Sequence, residues 1–172
     1  MINQINKSIY IISGPCGVGK STITKGLADE IEQVVRIEGD LIHSMFIGKE
    51  QPSWEDQLSL IWENILSLTK NFIRNNLNII IDYVVENELE WFCEQLSEFD
   101  LHIHYVVLRA DEEMLVKRLV KRGDENLIKR SLFLLDELEN KVSNKKYLYN
   151  TTNKQPIEII NDLRNRFEQF RL

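Results

Sequence analysis

Residues 8–21 read SIYIISGPCGVGKS, and what they form decides how the rest of the chain is organised. The run 9–13 is nearly continuous in apolar residues and too short for a helix, as suits a strand covered on both faces. Gly14, Gly19, Lys20 and Ser21 then satisfy G-x-x-x-x-G-K-[ST], the pattern of a loop whose backbone N–H groups cradle phosphates. Its glycines permit backbone angles that turn successive N–H groups inward. A helix beginning near Lys20 adds its positive end to the same pocket. The expected nucleotide contacts are therefore Gly14, Pro15, Cys16, Gly17, Val18, Gly19, Lys20, Ser21 and Thr22. In such a loop the lysine reaches the β- and γ-phosphates, and the Ser21 hydroxyl is the expected magnesium contact. Cys16 sits in the variable part of the pattern with no histidine partner evident, so it is not read as a nucleophile.

Four further apolar runs read as strands, at 34–38, 77–82, 102–108 and 147–150. Helical patterns separate them at 20–31, 54–75, 86–98, 111–121, 125–142 and 156–170. The last begins with Pro156 in the first turn, where its missing N–H costs nothing. Gly123-Asp124 marks a break between two helices. Strands alternating with helices give an α/β layer fold with ligands at the carboxyl ends of parallel strands. The chain has 172 residues, with no repeat, linker or low-complexity segment, and reads as a single domain over 1–172.

Composition narrows the class. Apolar residues make up 43% and charged residues 28%, the balance of a soluble globular protein. The net charge of -6 argues against a nucleic-acid surface, which would reward clustered Lys and Arg. No stretch reaches the roughly 20 apolar residues that span a bilayer, and MINQINKS lacks a secretory core. A cytoplasmic location follows by default, and no membrane partner is expected. Two cysteines, Cys16 and Cys93, make no disulfide framework. The sequence sets no oligomeric state.

Two acids close their strands. Asp82 ends the run LNIIID, on the edge where the phosphate loop emerges, and suits the shell of a magnesium ion; capping the following helix is its rival. Asp40 follows Gly39 in RIEGD and is placed to meet an acceptor hydroxyl beyond the γ-phosphate, orienting it and accepting its proton. Glu38 is the weaker candidate beside Asp40. The segment 41–62 should cover the acceptor, offering His43, Met45, Phe46, Trp54 and Trp62, with Lys49 its main positive charge. That composition suits a partly apolar hydroxyl compound better than a highly anionic sugar phosphate. His43 and Tyr83 are the further candidate acceptor contacts, while Met45 and Trp62 are equally candidates for the core.

Together GPCGVGKS, EGD at 38–40, IIID at 79–82 and LRADEEMLVKRLVKRGDE at 108–125 resemble the P-loop small-molecule kinases, among them gluconate-kinase-like, chloramphenicol-phosphotransferase-like and zeta-toxin-like proteins. The resemblance covers essentially the whole chain. It implies a P-loop NTPase three-layer sandwich, a five-stranded parallel sheet of order 2-3-1-4-5 with helices on both faces. It also implies ATP and magnesium (Mg2+) as cofactors, and a short helical lid, here near 118–135. Arg118, Arg122 and Arg130 match the lid arginines that stabilise a moving phosphoryl group, with Arg122 beside the Gly123 break the foremost. Asn150 and Thr151 match the segment that passes the adenine. The chain departs from shikimate kinases, which carry a Gly-Gly pair where this sequence has IDYVVENE, and from nucleoside monophosphate kinases with paired acceptor arginines. The expected activity is transfer of the ATP γ-phosphate to a hydroxyl of a small molecule. The alternatives are a nucleotide-dependent switch with slow hydrolysis and a zeta-like toxin acting on nucleotide sugars.

Overall fold

The computed structural model describes residues 7–172. The leading segment MINQIN, read above as lacking a secretory core, lies outside them. Five strands, β1 (Lys7–Ser13), β2 (Val34–Glu38), β3 (Asn78–Asp82), β4 (Leu101–Arg109) and β5 (Leu148–Asn150), form one sheet of order β2-β3-β1-β4-β5. Every pairing between these strands is parallel. The sheet order is the one the resemblance implies.

Seven α-helices flank the sheet: α1 (Lys20–Ala28), α2 (Gly39–His43), α3 (Trp54–Arg74), α4 (Leu89–Glu94), α5 (Glu112–Arg122), α6 (Ile128–Asn140) and α7 (Pro156–Arg166). Alternation along the strands supplies both faces. Ile9, Ile11, Ile79 and Ile81 pack one face against Trp62 and Ile65 of α3, Phe92 of α4 and Leu138 of α6. Ile12, Ile80, Val106 and Leu108 pack the other against Ile23 and Leu27 of α1, Leu115 of α5 and Leu163 of α7. A central strand buried on both sides needs the nearly continuous apolar run that β1 carries. Trp62, equally a candidate pocket or core residue, is core; Met45, its counterpart, is exposed.

Register matters more to function than the helices do. Asp82 stands level with Ile12 on one side and Glu38 on the other, while Ser13 is level with Val107. The carboxyl ends of β1, β2, β3 and β4 thus meet along one edge, where the 14–19 loop leaves β1.

The helix expected over 86–98 contracts to Leu89–Glu94. At its start the Glu88 carboxylate accepts the backbone N–H groups of Glu86 and Asn87, holding the chain in a turn. At its end, Leu96 and Ser97 bond three residues back and tighten the last turn. The helix expected over 125–142 begins instead with a 3-10 turn at Glu125–Leu127, because Gly123 ends α5 in the left-handed region (φ 77°). The strand expected over 147–150 keeps only its last three residues, Tyr147 belonging to a 3-10 turn.

Candidate active site

The phosphate loop leaves β1 at Gly14, whose φ of 143° and crowded setting together require glycine: a β-carbon there would lie 2.5 Å from the Leu108 carbonyl oxygen. The Lys20 ammonium donates to the carbonyls of Gly14 (2.9 Å) and Pro15 (3.2 Å), which folds it over the loop. Gly19 caps α1 without a side-chain hydrogen bond, so the helix N-terminus keeps its N–H groups for an anion. Two later helices brace the loop from outside. Arg118 of α5 donates to the Val18 carbonyl at 2.9 Å, and Ser131 of α6 donates to the Cys16 carbonyl at 2.7 Å.

Behind the loop lies a polar network. Asp82 is 4% exposed, and its carboxylate accepts from the Thr24 hydroxyl (2.9 Å) and the Arg36 guanidinium (3.2 Å). Burial pushes the Asp82 carboxyl above its usual range, against the opposing pull of Lys20, of hydrogen bonds from Thr24 and Ser21, and of Arg36. Arg36 also pairs with Glu38, which accounts for where the Glu38 side chain goes. Sequence reading passed over Arg36. Its signal was there: a lone cation inside the apolar strand VVRIE, two residues from Glu38 and so on the same strand face. Ser21 and Asp82 are both hard oxygen donors, joined by a hydrogen bond. Among the described residues no three His, Cys, Asp or Glu side chains gather as a metal cage. That donor set fits magnesium, which takes one or two protein oxygens and fills its remaining positions with phosphates and water.

In front of the loop is a cleft of about 160 Å3 lined by Lys20, Ser21, Asp40, Tyr83, Val84, Arg122 and Leu127, among others. Tyr83 reaches it because residue 39 has no side chain: a β-carbon on Gly39 would lie 2.2 Å from the Tyr83 ring. The turn carrying Tyr83 is anchored by the Val85 N–H, which donates to the buried Ser13 hydroxyl at 2.9 Å. Tyr83 is buried, and its phenol is held neutral well above its ordinary range, chiefly by burial and further by the charges of Asp40, Glu86 and Glu88. A second cleft, of about 710 Å3, opens on the far side of the loop between Val18, Thr22, Met114, Arg118, Arg122, Lys154 and Pro156. Arg122 borders both clefts, paired with Asp124 at 2.8 Å and 61% exposed.

Several expected site residues stand elsewhere. Asn150 is exposed, and its side-chain oxygen accepts the Thr152 N–H at 2.9 Å. Thr151 is fully buried, its N–H and hydroxyl both donated to the Arg109 carbonyl. The wall of the larger cleft is instead Asn153, Lys154, Gln155 and Pro156, a few residues further on. His43 does not line the acceptor-side cleft, because its ring packs edge-on against Trp54 at 5.5 Å. Arg130 is held away from it by an ion pair with Glu86, its guanidinium lying over the rings of Trp54 (5.7 Å) and Phe133 (5.5 Å). Arg118 lines the larger cleft, not the one containing Asp40. Asp82 lies under Ser21, lining neither cleft.

A phosphate loop with its lysine and serine at the edge of a 2-3-1-4-5 parallel sheet defines a P-loop NTPase domain, able to bind a nucleoside triphosphate. The AAA domain family profile matches residues 11–146, and the chain belongs to that family. Among curated relatives, the guanylate kinase of Campylobacter jejuni (strain RM1221) is 26% identical over 186 aligned positions, covering 95% of this chain and 85% of that protein. The guanylate kinase of Mycoplasmoides gallisepticum is 28% identical, covering 69% of this chain and 70% of its own length. Among solved structures, the tunicamycin resistance protein of Deinococcus radiodurans superposes with a TM-score of 0.68 at 14% identity, covering 94% of this chain and 95% of that one. A sugar kinase from Janibacter sp. HTCC2649 superposes with a TM-score of 0.66 at 18% identity, covering 96% and 95%. A gluconokinase from Sinorhizobium meliloti 1021 follows at 0.58 and 18%, covering 95% and 91%. The likeness to these structures is one of fold.

Proposed function

We propose that the protein is an ATP-dependent phosphotransferase that moves the γ-phosphate to a hydroxyl of a small molecule. One observation carries this reading: a single cleft brings the loop groups Lys20 and Ser21 face to face with Asp40, Tyr83 and Arg122. The base and sugar of the nucleotide occupy the larger cleft, and the triphosphate runs along the loop between the two. Similarity to guanylate kinases, a sugar kinase and a gluconokinase supports the same reaction class.

The reaction proceeds from the acceptor side. An acceptor oxygen forms a bond to the γ-phosphorus, while the bond from that phosphorus to the β–γ bridging oxygen breaks. The electron pair of the broken bond leaves on ADP. The acceptor proton passes to the Asp40 carboxylate, which then releases it to solvent. Lys20 leaves the loop carbonyls and stabilises charge across the β- and γ-oxygens. Arg122 is held only by an exposed ion pair, which is worth little and frees it to swing onto the phosphoryl group. Residues 118–135 serve as the lid, hinged at Gly123. Ser21 and Asp82 would hold magnesium, which would supply neutralising charge to the phosphates.

The test replaces Asp40 and Lys20 once an acceptor is found. Asp40→Asn keeps the shape of the side chain and removes its basicity, so kcat should fall roughly 10²–10⁴-fold with ATP affinity retained. Lys20→Ala should abolish turnover. Phosphorylation that survives Asp40→Asn at the wild-type rate contradicts the assignment.

A further inference from the structure

The charges around the acceptor-side cleft constrain what enters it. Among the described residues, each cation near Tyr83 is already committed, lies outside the cleft or borders the phosphate loop. Arg130 is paired with Glu86 and sandwiched over Trp54 and Phe133. Lys141 donates to the Glu86 carbonyl and, at 3.1 Å, to the Asn87 side chain. Neither Lys49 nor Lys129 lines the cleft. Lys20 and Arg122 do line it, but they border the phosphate loop and are taken up by the transferred phosphate.

Against these stand carboxylates. Asp40 lines the cleft itself, and with Glu86 and Glu88 it places negative charge around the Tyr83 phenol, opposed in part by Arg130 from its pair with Glu86. The same cleft is also lined by the apolar side chains of Val84, Leu127 and Leu134. A phosphate or carboxylate on the acceptor would lie among like charges with no free partner, a penalty that rejects it. An ammonium group would meet the opposite. Resting on the phosphotransferase reading above, we infer that the acceptor is a non-anionic alcohol with an apolar body, and that an amine on it strengthens binding.

Two pairs of probes set a non-anionic member against an anionic one: glucosamine against gluconate, and guanosine against guanosine 5′-monophosphate, the second pair differing only by the phosphate. The full chain is first loaded with a non-hydrolysable ATP analogue and magnesium, and each probe is titrated while the backbone amide signals of Asp40 and Tyr83 are followed by NMR. Failure of the folded protein to bind the analogue sinks the phosphotransferase reading itself and is read before any probe is added. With the analogue bound, the non-anionic member of each pair should bind at least tenfold more tightly. Equal or tighter binding of gluconate or the monophosphate, or no difference within either pair, overturns the inference. Two variants locate the cause. Glu86→Gln releases Arg130 and should bring the anionic probes level with their partners. Arg130→Met should leave the discrimination intact, whereas a selective loss of anionic binding would show that Arg130 anchors anions and would overturn it.

Discussion

The place of Lys20 and Ser21 at the phosphate loop was legible because that loop is written locally. A loop of fixed spacing between a strand and a helix uses its own backbone as ligand, so the letters alone specify it. Arg36 was illegible for the opposite reason: two of its partners, Thr24 and Asp82, come from other elements, and only folding brings them within 3.4 Å. With 15% of its side chain exposed, Arg36 neutralises Glu38 and Asp82 at a partly wet site. Arg36→Met should therefore cost about 1–3 kcal/mol, less than the loss of a fully buried ion pair. Chemical denaturation measures it, and an unchanged midpoint would show that solvent already screens these charges. Gly39 is a second residue whose reason lies across the fold. Gly39→Ala drives a methyl into the Tyr83 ring and should destabilise by about 1–3 kcal/mol through overpacking. The same variant should lower kcat, since the ring that it displaces lines the acceptor side.

Elements with strong periodicity were the readable ones. Residues 54–75 were expected as one helix, and α3 runs from Trp54 to Arg74. Its start is set by Ser53, whose hydroxyl accepts the Asp56 N–H at 3.2 Å, with Glu55 and Asp56 favourably placed in the first turn. Ser53→Ala should cost about 0.5–2 kcal/mol in thermal or chemical unfolding. The helix expected over 86–98 was overextended because its start is decided by side-chain capture of backbone N–H groups and its end by a tightened backbone turn, which periodicity does not encode. Asn150 and Thr151 do not line the larger cleft for a similar reason. Thr151 looked available as a polar residue just after a strand, yet β4 claims its N–H and hydroxyl through the Arg109 carbonyl. At Gly123 sequence and structure agree, and the left-handed backbone there has consequences. Gly123→Ala forces an L-residue to φ 77° at a cost of about 1–2 kcal/mol, with no steric clash at its β-carbon.

Across the whole molecule, the parallel sheet and its order followed from alternating strand and helix together with the family resemblance. The ends of the sheet opposite the active edge carry a different chemistry. His104 of β4 is 2% exposed, stacked on Tyr10 at 5.0 Å, with its Nδ1 bonded to the Phe167 carbonyl at 2.9 Å. Burial lowers its pKa from the ordinary 6.5, opposed by the Phe167 bond and by Glu168. The unfolded chain therefore binds a proton before the folded one does, so stability falls as pH drops below about 6.5 and continues to fall down to the folded-state value. Melting temperatures at pH 7.5 and 5.5 should differ more in the wild type than in His104→Gln. Equal pH dependence would assign the effect to other groups. Among the described residues, no helix is long and apolar enough to cross a membrane.

The measurement that bears most directly on phosphotransfer is a mass-spectrometric screen. Purified protein, ATP and magnesium are incubated with a pool of nucleosides, amino sugars, aminoglycosides, phenicols, sugar acids and nucleotide sugars, beside Lys20→Ala and Asp40→Asn. The account predicts one class of hydroxyl compound gaining a single phosphate in the wild type, nothing with Lys20→Ala, and a slowed product with Asp40→Asn. Tight ATP binding with no compound phosphorylated, and with residual ATP hydrolysis indifferent to Asp40→Asn, would contradict it.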